Sequence, residues 1–217
     1  MKDFLFFCLG ASLGSFFGLV IDRFPEASIL FPASHCDQCK RPLSWRDLVP
    51  IVSQLLNRFR CRYCQAKVTP WYCLLELVCG LLCVWTSQGF LSLGQLAVAY
   101  TGLVLAIYDS KTQTYPLMVW LAFFVLTSLL LPWSMITAIC LLLASLAQLG
   151  KIPMGSGDFL FMASLSLVLP YQAFLWMLQI ACLTGISYCL LRQTRSSIPF
   201  IPFLTVAFFI ILSLSLY

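Results

Sequence analysis

Residues 22–70, DRFPEASILFPASHCDQCKRPLSWRDLVPIVSQLLNRFRCRYCQAKVTP, form the one polar island in a chain of 217 residues. They hold four of the eight acids, eight of the thirteen Lys/Arg and five prolines, and they read as a water-facing loop domain. On either side the sequence is apolar. Hydrophobic types make up 61% of the chain and charged types 10%, against about 25% charged in a soluble domain. So little polar surface cannot cover a water-soluble globule, and a chain so rich in aromatic and aliphatic residues is not disordered. A soluble enzyme is excluded. The net charge of +5 marks membrane sidedness rather than nucleic-acid binding.

The fold class is therefore an all-α polytopic membrane protein. Apolar runs fall at 4–21, 71–87, 91–108, 116–131, 134–149, 159–169, 173–191 and 200–216, which predicts about eight transmembrane helices. The first run follows Lys2 and ends at Asp22-Arg23 without a small-residue cleavage site, so it reads as a span and not as a signal peptide. If the loop is cytoplasmic and each run crosses once, every Lys/Arg except Lys2 lies inside, including Lys111, Lys151, Arg192 and Arg195. That satisfies the cation bias of inner loops and puts both termini outside. The run at 159–169 is short for a crossing, so its helix is expected to tilt or to begin inside the protein. No internal repeat stands out. Three parts are expected: a first span (1–21), the loop (22–70) and a multi-span part (71–217).

Seven of the eleven cysteines lie singly in apolar runs and read as small hydrophobes. The other four form Cys36-Asp37-Gln38-Cys39 and Cys61-Arg62-Tyr63-Cys64, with 21 residues between the pairs. Two such knuckles can set four thiolates around one Zn2+, and a reducing cytosol disfavours disulfides. Lys40, Arg41, Arg60 and Arg62 would offset the net charge of −2 on a zinc tetrathiolate. A closed four-ligand site leaves no position for substrate, so its task would be structural. His35 reads as a solvated loop residue.

Beyond residue 70 the only acids are Glu76, Asp109 and Asp158. Carboxylates at membrane depth are costly and point to function. Asp109 ends one apolar run and Asp158 opens another, in Gly155-Ser156-Gly157-Asp158. In the topology above both lie at the cytoplasmic ends of their helices and can meet at one depth. Two adjacent carboxyls share a proton. One activates a water and the other protonates a carbonyl, as in aspartic proteases. Helix dipoles favour the base role for Asp158 and the acid role for Asp109. Gly155 and Gly157 would let a peptide backbone approach, and Glu76 pairs with a cation or contacts the substrate.

These residues, in this order, resemble the type IV prepilin peptidases, membrane aspartic proteases of the GxGD class. The resemblance runs through Gly14-Ser15-Phe16, Arg23-Phe24-Pro25, the four-cysteine loop, Glu76, Tyr108-Asp109 to Pro116, Gly155 to Asp158 and Ile198 to Leu204. It implies that Asp109 and Asp158 are catalytic. It also implies removal of a short basic leader from prepilins or pseudopilins at the cytoplasmic face of the inner (plasma) membrane. Many such enzymes also methylate the new N-terminus from S-adenosylmethionine. The chain departs from the family's pattern at Gly18, at Thr69-Pro70-Trp71-Tyr72 and at Ile201. Its compact length fits a competence or pseudopilus system. The implied partners are the prepilin and the lipid bilayer; the oligomeric state is not legible. Two readings from other classes compete: a transporter using paired carboxylates as a proton or cation relay, and a non-catalytic zinc-bearing scaffold.

Overall fold

A computed structural model describes residues 1–152, 154–193 and 198–214; Arg195, counted above among the inner cations, lies outside them. The described residues contain nine α-helices: α1 (Lys2–Arg23), α2 (Val52–Leu56), α3 (Trp71–Ser87), α4 (Leu93–Thr112), α5 (Leu117–Leu130), α6 (Met135–Gln148), α7 (Ser156–Leu165), α8 (Tyr171–Arg192) and α9 (Ile201–Leu214). Eight fall on the eight apolar runs; α2 and a 3-10 turn at Trp45–Leu48 lie in the polar loop. Three helices, α1, α4 and α8, are long and apolar enough to cross a bilayer, and α3, α5, α6 and α9 are shorter apolar helices. The chain is an integral membrane protein. The short run at 159–169 yields α7, of 10 residues. At about 1.5 Å per residue it covers roughly half of a 30 Å hydrocarbon core. Phe159 and every residue from Phe161 to Leu165 are buried, so α7 is enclosed by protein along most of its length.

The chain divides into two compact units, Met1–Leu91 and Ser92–Tyr217. The boundary differs from the sequence-based division at residue 70, because α3 packs along α1. The contact is built from small residues. Gly10, Gly14 and Gly18 recur every fourth position on the buried face of α1. A Cβ on Gly10 would lie 2.4 Å from the Cys79 carbonyl oxygen, and one on Gly14 would lie 2.9 Å from Glu76 Cα. In the other direction Gly80 of α3 receives the Phe7 ring, 2.7 Å from where its Cβ would stand. Close backbone approach through small residues is how helices associate where lipid removes the hydrophobic drive. At one end of the pair, Lys2 Nζ donates to the Ser87 carbonyl at 2.8 Å and Ser87 Oγ donates to Asp3 at 3.0 Å. The one cation assigned outside thus caps a helix C-terminus, where carbonyls lack partners. Gly10→Leu is expected to destabilise the pair by at least about 1–3 kcal/mol through overpacking. Leu9→Ala, on the exposed side, should have a much smaller effect. Thermal unfolding of the two variants in one detergent checks this.

In the second unit α4 is the hub, packed against α9, α5 and α7. It is the most enclosed of the three long helices. Because it faces protein rather than lipid, it tolerates polar residues whose hydroxyls find backbone acceptors. Thr101 donates to the Ala97 carbonyl at 2.8 Å, and Thr205 of α9 reaches the Gly102 carbonyl of α4 at 3.2 Å. Polar contacts hold α7. Trp120 Nε1 of α5 donates to the Leu160 carbonyl (2.9 Å) and to Ser164 Oγ (3.0 Å). Thr137 of α6 shares a 2.7 Å hydrogen bond with Ser166, just past the end of α7. Ser92 and Ser134 start α4 and α6 with capping boxes, so these helix ends carry their own acceptors.

Candidate active site and metal centre

In the second unit α4 carries Asp109 at its C-terminal end and α7 carries Asp158 in its first turn. Asp109 is buried. Its Oδ2 accepts the Ile201 backbone N–H at 3.0 Å, and the Phe200 N–H is a second donor to it. Ile201 is the first residue of α9, so Asp109 closes one helix and caps the start of another. The expected acid role of Asp109 rests on its place at the C-terminal end of α4. The positive end of α9 offsets that dipole, and helix ends alone no longer divide the roles between the two aspartates.

The carboxylates of Asp109 and Asp158 interact electrostatically with each other, and both act on the Tyr115 phenol. Burial, and then the fields of Asp158 and Asp109, raise the Tyr115 pKa far above its ordinary value. The phenol therefore stays protonated and serves as a donor. It donates to the Gly157 carbonyl at 2.8 Å. A Cβ on Gly157 would lie 2.8 Å from the Tyr115 ring, and one on Gly155 would press on Asp158 Oδ2 at 3.3 Å. Tyr115 thus fills the space that the missing side chain leaves at Gly157, while Gly155 leaves the Asp158 carboxylate unobstructed. No role for Tyr115 was legible from the sequence. The available signal was an aromatic hydroxyl six residues beyond Asp109, in a connection too short to stray. Tyr115→Phe removes one buried hydrogen bond worth about 1 kcal/mol. The thermal midpoint is expected to fall by roughly 2–4 °C, read by thermal unfolding of the variant and the native chain in one detergent.

The candidate metal centre lies in the first unit. The Sγ atoms of Cys36, Cys39, Cys61 and Cys64 all fall within 4.8 Å of one another, and Cys36 Sγ stands 3.8 Å from Cys64 Sγ. A tetrahedral site with Zn–S of about 2.3 Å has S–S edges of about 3.8 Å, so the cluster could hold a metal ion of that size. The backbone supports it twice over. Cys36 N–H donates to the Arg41 carbonyl and Lys40 N–H to the Cys36 carbonyl; 25 residues later, Cys61 N–H donates to Ala66 and Gln65 N–H to Cys61. Leu43 to Ser34 and Val68 to Phe59 complete the two arches. Lys40 and Gln65, each just after the second cysteine of its pair, both take positive φ (55° and 59°). The segments 34–43 and 59–68 are one structural motif used twice. The repeat escapes sequence inspection because it resides in backbone geometry, and beyond the cysteines the two segments share no side-chain pattern. Donors aim at the sulfur as well. The N–H groups of Cys64 and Tyr63 outweigh burial and bring the Cys61 thiol down to about 7, which favours the thiolate that a metal needs.

Glu76 lies in the same unit and is buried on α3. Its carboxylate accepts the Ile51 N–H at 2.6 Å and Gln54 Nε2 at 3.1 Å, and so ties the loop to the helix pair. His35 Nδ1 sits 3.0 Å from the Ala33 carbonyl and is absent from the metal cluster.

The two units define a class: a helical membrane protein with a four-cysteine cluster in one unit and a carboxylate pair in the other. A model of the Bacterial Peptidase A24 N-terminal domain matches residues 8–90, which include the cysteine loop and both helices that flank it. A Klebsiella pneumoniae prepilin leader peptidase/N-methyltransferase is 34% identical over a 199-residue alignment that covers 77% of this chain and 85% of the relative. An Aeromonas hydrophila protein of the same name is 31% identical, with 84% and 72% covered. One from Neisseria gonorrhoeae is 28% identical, with 94% and 87% covered. No solved structure matches significantly. The chain belongs to the type IV prepilin peptidase family.

Proposed function

We propose that this protein is a membrane aspartic endopeptidase that removes the basic leader from type IV prepilins or pseudopilins at the cytoplasmic face of the inner membrane. The observation that carries the reading is that two acids from distant parts of the chain, Asp109 and Asp158, lie near enough for the field of one to act on the other and of both to act on Tyr115. One carboxylate takes a proton from a water as that water's oxygen bonds to the scissile carbonyl carbon. The other, protonated, gives its proton to the carbonyl oxygen. Collapse of the gem-diol intermediate breaks the C–N bond as one of its hydroxyls returns a proton to the second acid, and the amine leaves with the proton held by the first acid. Gly155 lets the substrate backbone approach Asp158. Tyr115 holds the Gly157 carbonyl and so fixes the turn that aims Asp158. Glu76 enters as the residue that positions the loop.

The names of the relatives extend the proposal to N-methylation of the new amine, with S-adenosylmethionine as methyl donor. The four cysteines would hold structural Zn2+. We further assign eight crossings, with α7 as a short protein-enclosed one, and a functional division into first span, zinc loop and GxGD peptidase part from residue 71. The inner side carries the loop and the connections near Lys111, Lys151 and Arg192; the segments near 88, 133 and 171 carry no charge. The transporter and scaffold readings have no observation in their favour.

The test is direct. The full chain in nanodiscs is mixed with a prepilin bearing a basic leader, and the N-terminus of the product is read by mass spectrometry. Loss of the leader is expected, followed by a methyl increment when S-adenosylmethionine is present. An intact prepilin with folded enzyme would refute the peptidase reading, and a cleaved but unmodified product would refute methylation alone.

A further inference from the structure

Within the loop the polarity of the segment Trp45–Leu56 is inverted. Its inward side is polar: Ser53 is buried, and Gln54 together with the Ile51 N–H engages Glu76. Its outward side is apolar. Trp45, Leu48, Val49, Val52, Leu55 and Leu56 are all exposed, Trp45 at 72% and Leu56 at 78%. Water is a poor solvent for such a face. The contact with Glu76 also fixes its height. Glu76 stands five residues beyond Trp71, the first residue of α3, or about 8 Å along the helix axis. Trp71 and Tyr72 stack on one another at the start of α3, and such rings prefer the headgroup level. The start of α2 is thereby held just below that level, within the roughly 5–10 Å to which interfacial helices bury. Charge agrees. Between residues 40 and 67 there are seven Lys/Arg and one acid. That acid, Asp47, is occupied by the Ser44 N–H and hydroxyl, while Arg46 and Arg58 flank the apolar face and are exposed.

We propose that Trp45–Leu56 is a membrane-inserted element: its apolar face lies in the acyl boundary of the leaflet that the loop faces, and Arg46 and Arg58 meet anionic phospholipid headgroups. The lipid is favoured over a prepilin segment as occupant because the depth is set by contacts within this chain alone. The inference rests on the membrane character of the protein and not on its proposed activity. Failure of one therefore leaves the other standing.

The experiment uses the full chain in nanodiscs of phosphatidylglycerol or of phosphatidylcholine. A photoreactive benzophenone amino acid replaces Leu56, and adducts are identified by mass spectrometry. Phospholipid adducts are expected with and without prepilin. Prepilin adducts alone, or no adduct, would overturn the proposal. In parallel, amide exchange of residues 52–57 is measured on the unaltered protein, which removes any dependence on how the variant folds. Exchange should be slower in phosphatidylglycerol by about fivefold for each flanking cation. Equal exchange in the two lipids would overturn the headgroup contact.

Discussion

Asp158→Asn is expected to lower leader cleavage by at least roughly 10³-fold, and Asp109→Asn by a similar factor, with the helices still packed. An amide keeps the size and one acceptor oxygen of the carboxylate, but it can neither take the proton from a water nor pass one to a carbonyl. The choice of Asn matters most at Asp109. Its Oδ2 caps the Ile201 N–H inside the protein, and Asn can go on accepting there. Asp109→Ala would in addition strand that donor, at a cost of about 1–3 kcal/mol. The Asn variants therefore report chemistry, and the difference between Asn and Ala reports the cap. Single-turnover cleavage and thermal unfolding on the same preparations separate the two. Asn variants that cleave within tenfold of the native rate would remove the paired-acid mechanism, whatever the membrane topology.

Removal of metal from the four-cysteine cluster is expected to unfold the two arches while the α1–α3 pair persists. From 22 to 70 only Ser53 and Cys61 are buried, so these residues have almost no apolar core to repay the entropy of ordering them. A structural zinc supplies about 10–16 kcal/mol in small tetrathiolate and related sites, far more than any other interaction in the loop. The helix pair draws on a different source, the contacts at Gly10, Gly14 and Gly80. Amide exchange after chelation, or in Cys61→Ser, should lose protection at 34–43 and 59–68 and keep it in the middle of α1 and α3. Unchanged protection with metal demonstrably absent would mean that the loop holds itself. The tie between Glu76 and Ile51 makes the outcome near residue 51 informative as well. If Glu76 alone holds α2 in place, protection there survives chelation and falls in Glu76→Ala, which removes the acceptor for Ile51 and Gln54.

Much of this was readable along the chain because its causes are local. A run of apolar residues must satisfy its own backbone in lipid, and helix is the only way for a single segment to do so. Hence the eight runs and the helices that occupy them agree. The cysteine pairs were readable for a similar reason, since two ligands three residues apart fit one turn around an ion. Other features depend on what packs against what. The spacing of Gly10, Gly14 and Gly18 meant little until α3 was seen to lie along them. The glycines before Asp158 looked like room for substrate until the Tyr115 ring was found over Gly157. Glu76 read as pairing with a cation or contacting the substrate, and the packed fold adds that its carboxylate accepts from Ile51 and Gln54.

Side-chain chemistry and short spacing along the chain are enough to read the solvent of this protein, the number of its apolar segments and the grouping of the four cysteines. That Asp109 serves α9 as well as α4, that the fields of both aspartates reach Tyr115, and that a five-residue helix turns its apolar side outward emerge with the packed fold alone. These are relations between segments 22 to 92 positions apart. Such relations are fixed by hydrogen bonds and close packing, which no local pattern of residues encodes.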